Sequence, residues 1–166
     1  NRIALVQPFM SRVTSDGETS LVYFDGTFSH AVTKVPATGD FRSQVDFGGV
    51  YTLVDPTEAQ RAVAERTLAA WEDRYNDAPL YARVDLVPGD GGEPLLGELE
   101  LIEPELFLDM HADAATSFAS AILARVERRN ALAIPHASWL NWRIAIMVLF
   151  LVFGTIMVDG YVTIMR

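Results

Sequence analysis

A glycine-rich turn near the middle of the chain joins two strand-like runs that both carry acidic residues. The runs cover residues 80–87 and 95–102, and Gly91–Gly92 lies between them. A turn centred on the two glycines sets Asp85 directly opposite Glu98 in an antiparallel pair. Like charges that face each other across a sheet are destabilising. The sequence therefore predicts a hairpin that needs a cation near its carboxylates.

The same register brings further charged residues to this face. Strand residues two apart share a face, so Arg83 lies beside Asp85 and opposite Glu100. Mg²⁺ prefers hard oxygen ligands, commonly one or two carboxylates with phosphate oxygens and waters, which favours Asp85, Glu98 and Glu100 as metal ligands. Two alternatives are a solvated face on which Arg83 and Glu100 form an ordinary ion pair, and a divalent-cation site without nucleotide.

Further turn signals indicate an antiparallel sheet. Asp25–Gly26 separates the strand-like runs 18–24 and 27–34, and an Asp-Gly pair between two such runs is a strong hairpin signal. A strand is also expected over residues 2–9. Residues 35–50 are rich in glycine, proline and polar residues, which is typical of a loop.

Two helices are predicted after this loop. The first has Asp55 as its N-cap, Pro56 at the first helical position and Glu58 at the capping-box position. Its apolar residues at helical spacing are Ala59, Val63, Ala70 and Trp71. The second helix is expected over about residues 113–133. Together with the hairpins, these helices indicate an α+β fold.

Composition excludes several classes of function. The chain has no cysteine, so a disulfide framework and a thiolate metal site are both excluded. Acidic residues outnumber basic ones by 22 to 13, which gives a net charge of −9. The sequence has no basic stripe that follows a phosphate backbone, and we therefore expect no nucleic-acid partner.

The two ends of the chain have their own character. The first residues do not have the form of a signal peptide and suggest a strand entered midway, as if the start of a larger protein were missing. Residues 144–165 contain one charged residue, Asp159, in 22 positions. As a helix they are long enough to cross a hydrocarbon core of about 30 Å.

We therefore expect a transmembrane helix over residues 144–166, with residues 135–143 as an interfacial linker. Arginines crowd the N-terminal side of this segment, which the positive-inside rule assigns to the cytoplasm. The expected arrangement is a cytoplasmic domain anchored to the inner or plasma membrane. The alternative is a helix buried in a partner protein. The arginines concerned are Arg125, Arg128, Arg129 and Arg143.

Four stretches together resemble the C-terminal half of an ATP-grasp ligase, the superfamily of glutathione synthetase, D-alanine–D-alanine ligase and peptide-tail glutamate ligases. They occur in the family's order over about 100 residues. The resemblance implies an ATP-grasp C-terminal lobe over residues 1–134, with an antiparallel sheet and packing helices. The stretches are LVQPFM (5–10), DGETSLVYFDGTFSHAVTK (16–34), GDFRSQVDFGG (39–49), and RVD (83–85) with GELELIEP (97–104).

The acidic hairpin resembles the family's metal hairpin, R-x-D followed by E-x-N. By this resemblance Asp85 and Glu98 are Mg²⁺ ligands, and Arg83 is the arginine that stabilises the transferring phosphate. Glu100 replaces the usual asparagine, so it retains an oxygen ligand and adds a negative charge.

The other stretches resemble the nucleotide-binding parts of these ligases. The backbone carbonyl of Gln7 and the backbone amide of Phe9 would contact adenine. Glu18 matches an acid near the nucleotide, although an ordinary hairpin-edge carboxylate is an alternative. Lys34 falls at a position that is often basic in the family, where it faces phosphate or merely solvent.

The GDFRSQVDFGG loop resembles that of the glutamate-ligase branch. There the arginine, here Arg42, faces nucleotide phosphates or the acyl-phosphate. Gln44 replaces an asparagine, which leaves its contact with the ligand open. Gly48 and Gly49 would allow a close approach of backbone to ligand, or form an ordinary turn.

The resemblance implies ATP- and Mg²⁺-dependent ligation of a small carboxylate to a small amine through an acyl-phosphate. Such a site lies between two lobes, and the four stretches cover only the second. We therefore expect that activity needs an N-terminal lobe, supplied upstream or in trans. The rival hypothesis is a non-catalytic, membrane-tethered binding or assembly module derived from an ATP-grasp fold.

Overall fold

The structure is a computed structural model that describes residues 6–37 and 48–133. Within these residues the chain forms α-helices and β-strands in the order α1-β1-β2-β3-α2-β4-β5-α3. Their bounds are α1 Val13–Asp16, β1 Glu18–Phe24, β2 Thr27–Val35, β3 Val50–Val54, α2 Glu58–Tyr75, β4 Tyr81–Pro88, β5 Pro94–Glu100 and α3 Ala114–Ala133.

The strands form one five-stranded sheet in the order β3-β2-β1-β4-β5. Every neighbouring pair is antiparallel. Strand β1 is central, and it hydrogen-bonds to β2 on one side and to β4 on the other. The predicted α+β class with an antiparallel sheet is confirmed.

The first predicted hairpin is present. Asp25 and Gly26 both have positive φ, at 51° and 77°, as the two central residues of a type I′ turn require. The turn connects Phe24 directly to Thr27, which pair in the β1–β2 register. A glycine tolerates this conformation without a steric penalty, so the sequence signal has a local physical cause.

The acidic hairpin has the predicted register. Asp85 pairs with Glu98, and Arg83 pairs with Glu100. Beyond Asp85 the register shifts by one residue, because Leu86 pairs with Leu96 and Gly97 is left without a partner. This is a β-bulge. A Cβ at Gly97 would lie 3.3 Å from the Asp85 carbonyl oxygen, so glycine suits this close approach.

Helix α2 covers one face of the sheet. Its buried residues are Ala64 and Leu68, which are four apart and therefore share a helix face. They pack in a cluster of fully buried side chains from the three central strands, which also contains Leu21, Tyr23, Ala31, Ala82, Val84 and Leu86.

The other face is covered by the segment before α3 and by the first part of α3, which packs there through Phe118 and Ala121. Phe107 and Phe24 are buried there, and the Phe118 ring of α3 stacks on Phe24 with centroids 4.9 Å apart. From Ala124 onward, α3 is the described part of a second compact unit.

Two expectations about α2 are wrong. Its N-cap is Thr57, whose extended backbone (φ −64°, ψ 159°) precedes the first helical residue, so Asp55 and Pro56 lie before the helix. Thr57 and Gln60 form the capping box, in which the backbone amide of Gln60 donates to the Thr57 side-chain hydroxyl. Ala59 and Ala70 of the predicted apolar stripe are exposed, because the helix faces the sheet through Ala64 and Leu68.

Other differences arise from the loops. Residues 6–10 have no regular structure. The strand expected over residues 2–9 is therefore absent from residues 6–9, the part of it that the structure describes. The polar segment after them contains the short helix α1, and β3 lies at the end of the predicted loop. Both elements were missed, because α1 has one turn and β3 is fixed by its distant partner β2.

The predicted transmembrane segment, residues 144–166, and the linker 135–143 lie outside the described residues. None of the helices within the described residues is long and apolar enough to span a bilayer. The domain boundaries predicted for this part of the chain stay predictions.

Replacing Thr57 with alanine should lower the free energy of unfolding by about 1 kcal/mol, because the first turn of α2 loses its side-chain cap. Chemical denaturation measures this difference. Asp55→Ala is the matched control, and we expect a change within about 0.5 kcal/mol. A larger loss for Asp55→Ala than for Thr57→Ala would restore Asp55 as the cap.

Candidate metal and nucleotide site

The strands change from apolar to charged along the sheet face that packs against Phe107. Val22 and Val32 lie in the core of this face. Further along the same strands and on the neighbouring ones, seven polar or charged residues point to this face. These residues are Glu18 and Ser20 of β1, Lys34 of β2, Arg83 and Asp85 of β4, and Glu98 and Glu100 of β5.

Asp85 is the centre of this group and is 3% exposed. Its carboxylate accepts a hydrogen bond from the Ser20 hydroxyl on β1, at 2.6 Å. The Arg83 guanidinium donates to both of its oxygens, at 2.8 to 3.2 Å. The Lys34 ammonium on β2 lies 3.3 Å from Asp85 Oδ2. Donors from three strands therefore fix the orientation of this carboxylate.

Arg83 is nearly buried and has partners on both sides. Besides its bonds to Asp85, it donates to Glu100 Oε1 at 2.5 Å and to the Glu105 carbonyl oxygen at 3.3 Å. Its guanidinium carbon lies 5.8 Å from the centroid of the Phe107 ring. These contacts make Arg83 the counter-ion between two of the predicted metal ligands.

Glu18 and Lys34 form a second ion pair at the same end of the sheet. They face each other in the β1–β2 register, and the Lys34 ammonium contacts the Glu18 carboxylate. The Lys34 side chain is 6% exposed. It therefore does not face solvent, which was one of the two environments expected for it.

The predicted metal ligands lie together. Carboxylate oxygens of Asp85, Glu98 and Glu100 come within 4.8 Å of one another, and no other such His, Cys, Asp or Glu group occurs among the described residues. Oxygens bound to one Mg²⁺ are up to about 4.2 Å apart, twice the usual metal–oxygen distance. Small side-chain rotations close this difference, so the residues fit the ion.

The charges of the group also fit a divalent cation. Four carboxylates, those of Glu18, Asp85, Glu98 and Glu100, face the two cations Lys34 and Arg83. Two negative charges remain uncompensated, which is the charge that one Mg²⁺ neutralises. Carboxylates that lie close together repel one another when ionised, so the group favours an added cation.

The acids respond differently to this environment. Burial by itself would raise the pKa of Asp85, but the Arg83 hydrogen bonds and the Lys34 charge outweigh it and hold that pKa below its ordinary value. For Glu100, burial raises the pKa; the charge of Arg83 opposes this rise, and the neighbouring Glu98 adds to it. Asp85 is thus firmly ionised, and Glu100 is the more easily protonated ligand.

The remaining predicted site residues are not brought to this cluster by any described contact. Gln7 and Phe9 lie in the irregular segment before α1, and both are exposed. Gly48 adopts a positive φ of 81°, which suits the turn that precedes β3, and Gly49 follows it. Arg42 and Gln44 lie outside the described residues.

Ser20 and Glu105 belong to the site but were not predicted. Ser20 is fully buried in β1, next to the apolar residues that begin at Leu21, and it pairs directly with Asp85. A hydroxyl two residues after Glu18, on the same face, was the available signal. Glu105 contributes through its backbone carbonyl, for which the sequence carries no signal.

Known proteins are similar to this chain in sequence and fold over part of their length. The cycloserine biosynthesis protein DcsG of Streptomyces lavendulae is 40% identical in a 136-residue alignment that covers 74% of this chain and 42% of DcsG. The crystal structure of D-cycloserine synthetase DcsG matches with a TM-score of 0.64 at 38% identity, over 72% of this chain and 41% of that chain. No protein-family model matches the sequence.

A D-alanine–D-alanine ligase from Bacillus anthracis, solved with ATP, gives a TM-score of 0.46 at 20% identity over 68% of this chain and 40% of that chain. The chain resembles the C-terminal half of an ATP-grasp ligase, as its four motifs predicted. More specifically, it is homologous to D-cycloserine synthetase DcsG. It spans about two fifths of the length of that relative.

Asp85→Asn should lower the free energy of unfolding by about 1–3 kcal/mol at pH 7, since buried donors lose a charged acceptor. The pKa of Asp85 is lowered in the folded protein, so the ionised carboxylate contributes stability that is lost as pH falls through that pKa. The difference between the two proteins should therefore shrink from pH 7 to pH 3.

Denaturation at both pH values, without added metal, measures this effect. Glu98→Gln is the control, because Glu98 is exposed and its substitution should change stability by no more than about 0.5 kcal/mol. An equal loss for Asp85→Asn at both pH values would contradict the role of the ionised carboxylate.

Proposed function

We propose that this chain is the metal-side lobe of an ATP- and Mg²⁺-dependent carboxylate–amine ligase. The observation that carries the proposal is the group of carboxylate oxygens from Asp85, Glu98 and Glu100, held beside a buried Arg83. The homology to DcsG supports it, because that protein is described as a synthetase.

The proposed reaction has two steps. An oxygen of the substrate carboxylate attacks the γ-phosphorus of ATP, so that ADP leaves and an acyl-phosphate forms. The nitrogen of the amine substrate then attacks the acyl carbon, and phosphate leaves with formation of an amide. The first step depends mainly on positioning and charge neutralisation.

In this proposal Asp85, Glu98 and Glu100 hold the Mg²⁺ that accompanies ATP. The metal, when bound, neutralises charge on the phosphate oxygens. Arg83 keeps the Asp85 and Glu100 carboxylates in place, and its positive charge favours phosphate at this end of the sheet. Ser20 fixes Asp85 from the neighbouring strand. The contacts among Ser20, Asp85, Arg83 and Glu100 orient these groups before ligand binds, which reduces the cost of reorganisation during the reaction.

The other predicted residues keep the roles that the resemblance implies. Gln7 and Phe9, exposed in the irregular segment, would meet adenine through their backbone. Arg42 and Gln44 would contact phosphate or the acyl-phosphate, and the turn at Gly48–Gly49 would approach the ligand closely.

The site needs further parts of an ATP-grasp fold. Such sites lie between two lobes, and the relatives are more than twice as long as the part that this chain matches. We propose that the opposite lobe is supplied on the same polypeptide or by a partner, and that the substrates are a small carboxylate and a small amine.

Asp85→Asn and Glu98→Gln should each weaken binding of Mg²⁺–ATP at least about tenfold in the protein that contains both lobes, since each removes an oxygen ligand of the metal. Isothermal titration with a non-hydrolysable ATP analogue measures this affinity. Glu72→Gln on the exposed side of α2 is the control for lost charge. Unchanged affinity for Mg²⁺–ATP in both site variants would contradict the assignment of these residues as metal ligands.

A second candidate function is a membrane-tethered binding or assembly module without catalysis. The nearly uncharged segment over residues 144–165 favours it. In this case the cluster of charged residues would be a relic or a simple cation site. An anchored cytoplasmic domain is compatible with both candidates, so the tail must be tested separately.

Deleting residues 139–166 should move the protein from the membrane fraction to the soluble fraction after cell lysis, because the proposed anchor is removed. Fractionation followed by immunoblotting measures the distribution. Deletion of residues 6–10, of which residues 6–9 are exposed, is a control that should leave the distribution unchanged. If the complete protein is already found in the soluble fraction, the proposed anchor is wrong.

A further inference from the structure

Lys34 is a buried cation that the proposed reaction does not use. Strand β2 carries it to the charged end of the sheet, where its ammonium contacts Glu18 and lies 3.3 Å from Asp85 Oδ2. A charged amine withdrawn from water is costly unless it is paired. Its two carboxylate partners therefore hold Lys34 inside the cluster that we assign to the metal.

The donors on Asp85 differ in the closeness of their contacts. Ser20 approaches to 2.6 Å and Arg83 to 2.8 Å, while Lys34 remains at 3.3 Å. The Lys34 contact lies at the long end of the range for hydrogen bonds, and it is therefore the weakest of the three. Because Lys34 also has Glu18 as a partner, it can release Asp85 and still remain paired.

Lys34 and a divalent cation compete for the same charge. An ion bound to Asp85 lies close to the Lys34 ammonium, and like charges at so short a distance near a protein surface repel each other strongly. Metal binding must therefore overcome this repulsion, separate Lys34 from Asp85, or add a ligand whose negative charge satisfies both cations. A nucleotide phosphate has the required charge.

We infer that Lys34 is an internal counter-ion that competes with the divalent cation for Asp85 and keeps metal affinity low until a polyanionic nucleotide arrives. This inference rests on the proposed metal site. It assigns Lys34 a role in the ligand-free protein, in addition to any contact with phosphate. The opposite role, in which Lys34 orients Asp85 for the metal, predicts the opposite sign for its removal.

The test is a Mn²⁺ titration of the full chain without nucleotide, in which electron paramagnetic resonance measures the bound and free Mn²⁺. Lys34→Met should bind Mn²⁺ at least about tenfold more tightly than the unchanged protein, because a nearby positive charge is lost. Lys34→Gln can still donate hydrogen bonds to both carboxylates and should shift the affinity in the same direction. It provides the measurement if Lys34→Met does not fold.

The matched control is Arg61→Gln, which makes the same change in net charge. Arg61 lies over the Phe28 ring, with its guanidinium carbon 3.9 Å from the ring centroid, and Phe28 packs in the core on the α2 side of the sheet. Its substitution should alter Mn²⁺ affinity less than about twofold, since the charge is distant and screened. Equal tightening by Arg61→Gln would overturn the inference.

The outcomes separate the inference from the proposed function. If the unchanged protein binds Mn²⁺ and the Lys34 variants bind it equally or more weakly, only the competition by Lys34 is refuted. If neither the unchanged protein nor any variant binds Mn²⁺, the metal site itself is refuted and the inference falls with it. Tighter binding by the Lys34 variants alone supports both.

Discussion

The buried carboxylate of Asp85 sets the conditions that the rest of the structure must satisfy. It is held by donors from β1, β2 and β4, so these strands must keep their registers for the charge to remain paired. A slip of one residue in a strand turns every side chain to the opposite face. In this sheet such a slip would leave Asp85 or its partners among apolar side chains on the α2 side. The fold and the candidate site therefore depend on the same strand registers.

The division of one sheet face into an apolar and a charged part explains how the cluster is kept from water and still open to a ligand. Phe107 packs with Val22 and Val32 and also lies near Arg83, so it borders both parts. Its backbone has a positive φ of 48°, which is uncommon for a bulky residue and often marks a functional constraint. The same segment gives its Leu106 carbonyl oxygen to His30 and its Glu105 carbonyl oxygen to Arg83. This segment thus contacts both the charged part of the face and the apolar core.

Local signals in the sequence predicted most of the sheet, while non-local contacts determined what was missed. Asp25–Gly26 and Gly91–Gly92 specify turns by their own backbone preferences, so both hairpins, and the pairing of Asp85 with Glu98, were predicted. Strand β3 has no such turn, because residues 36–49 separate it from β2. The cap of α2 was misplaced because Asp55 and Thr57 are both good caps, and only the contact of Gln60 with Thr19 and Thr57 distinguishes them. The charged residues of the site could be recognised in the sequence, but the burial of Ser20 and Lys34 could not.

The unpaired Gly97 has a consequence for how this hairpin can vary. In a regular strand Leu96 and Glu98 would point to the same side, but the bulge gives them opposite sides, with Leu96 beside Leu86 and Glu98 beside Asp85. The bulge therefore lets Leu96 point to the α2 side of the sheet while Glu98 and Glu100 face Asp85 and Arg83. Deletion of Gly97 would make the pairing regular and would still leave Glu98 opposite Asp85, whereas deletion of Leu99 would direct Glu98 and Glu100 to opposite faces of the sheet.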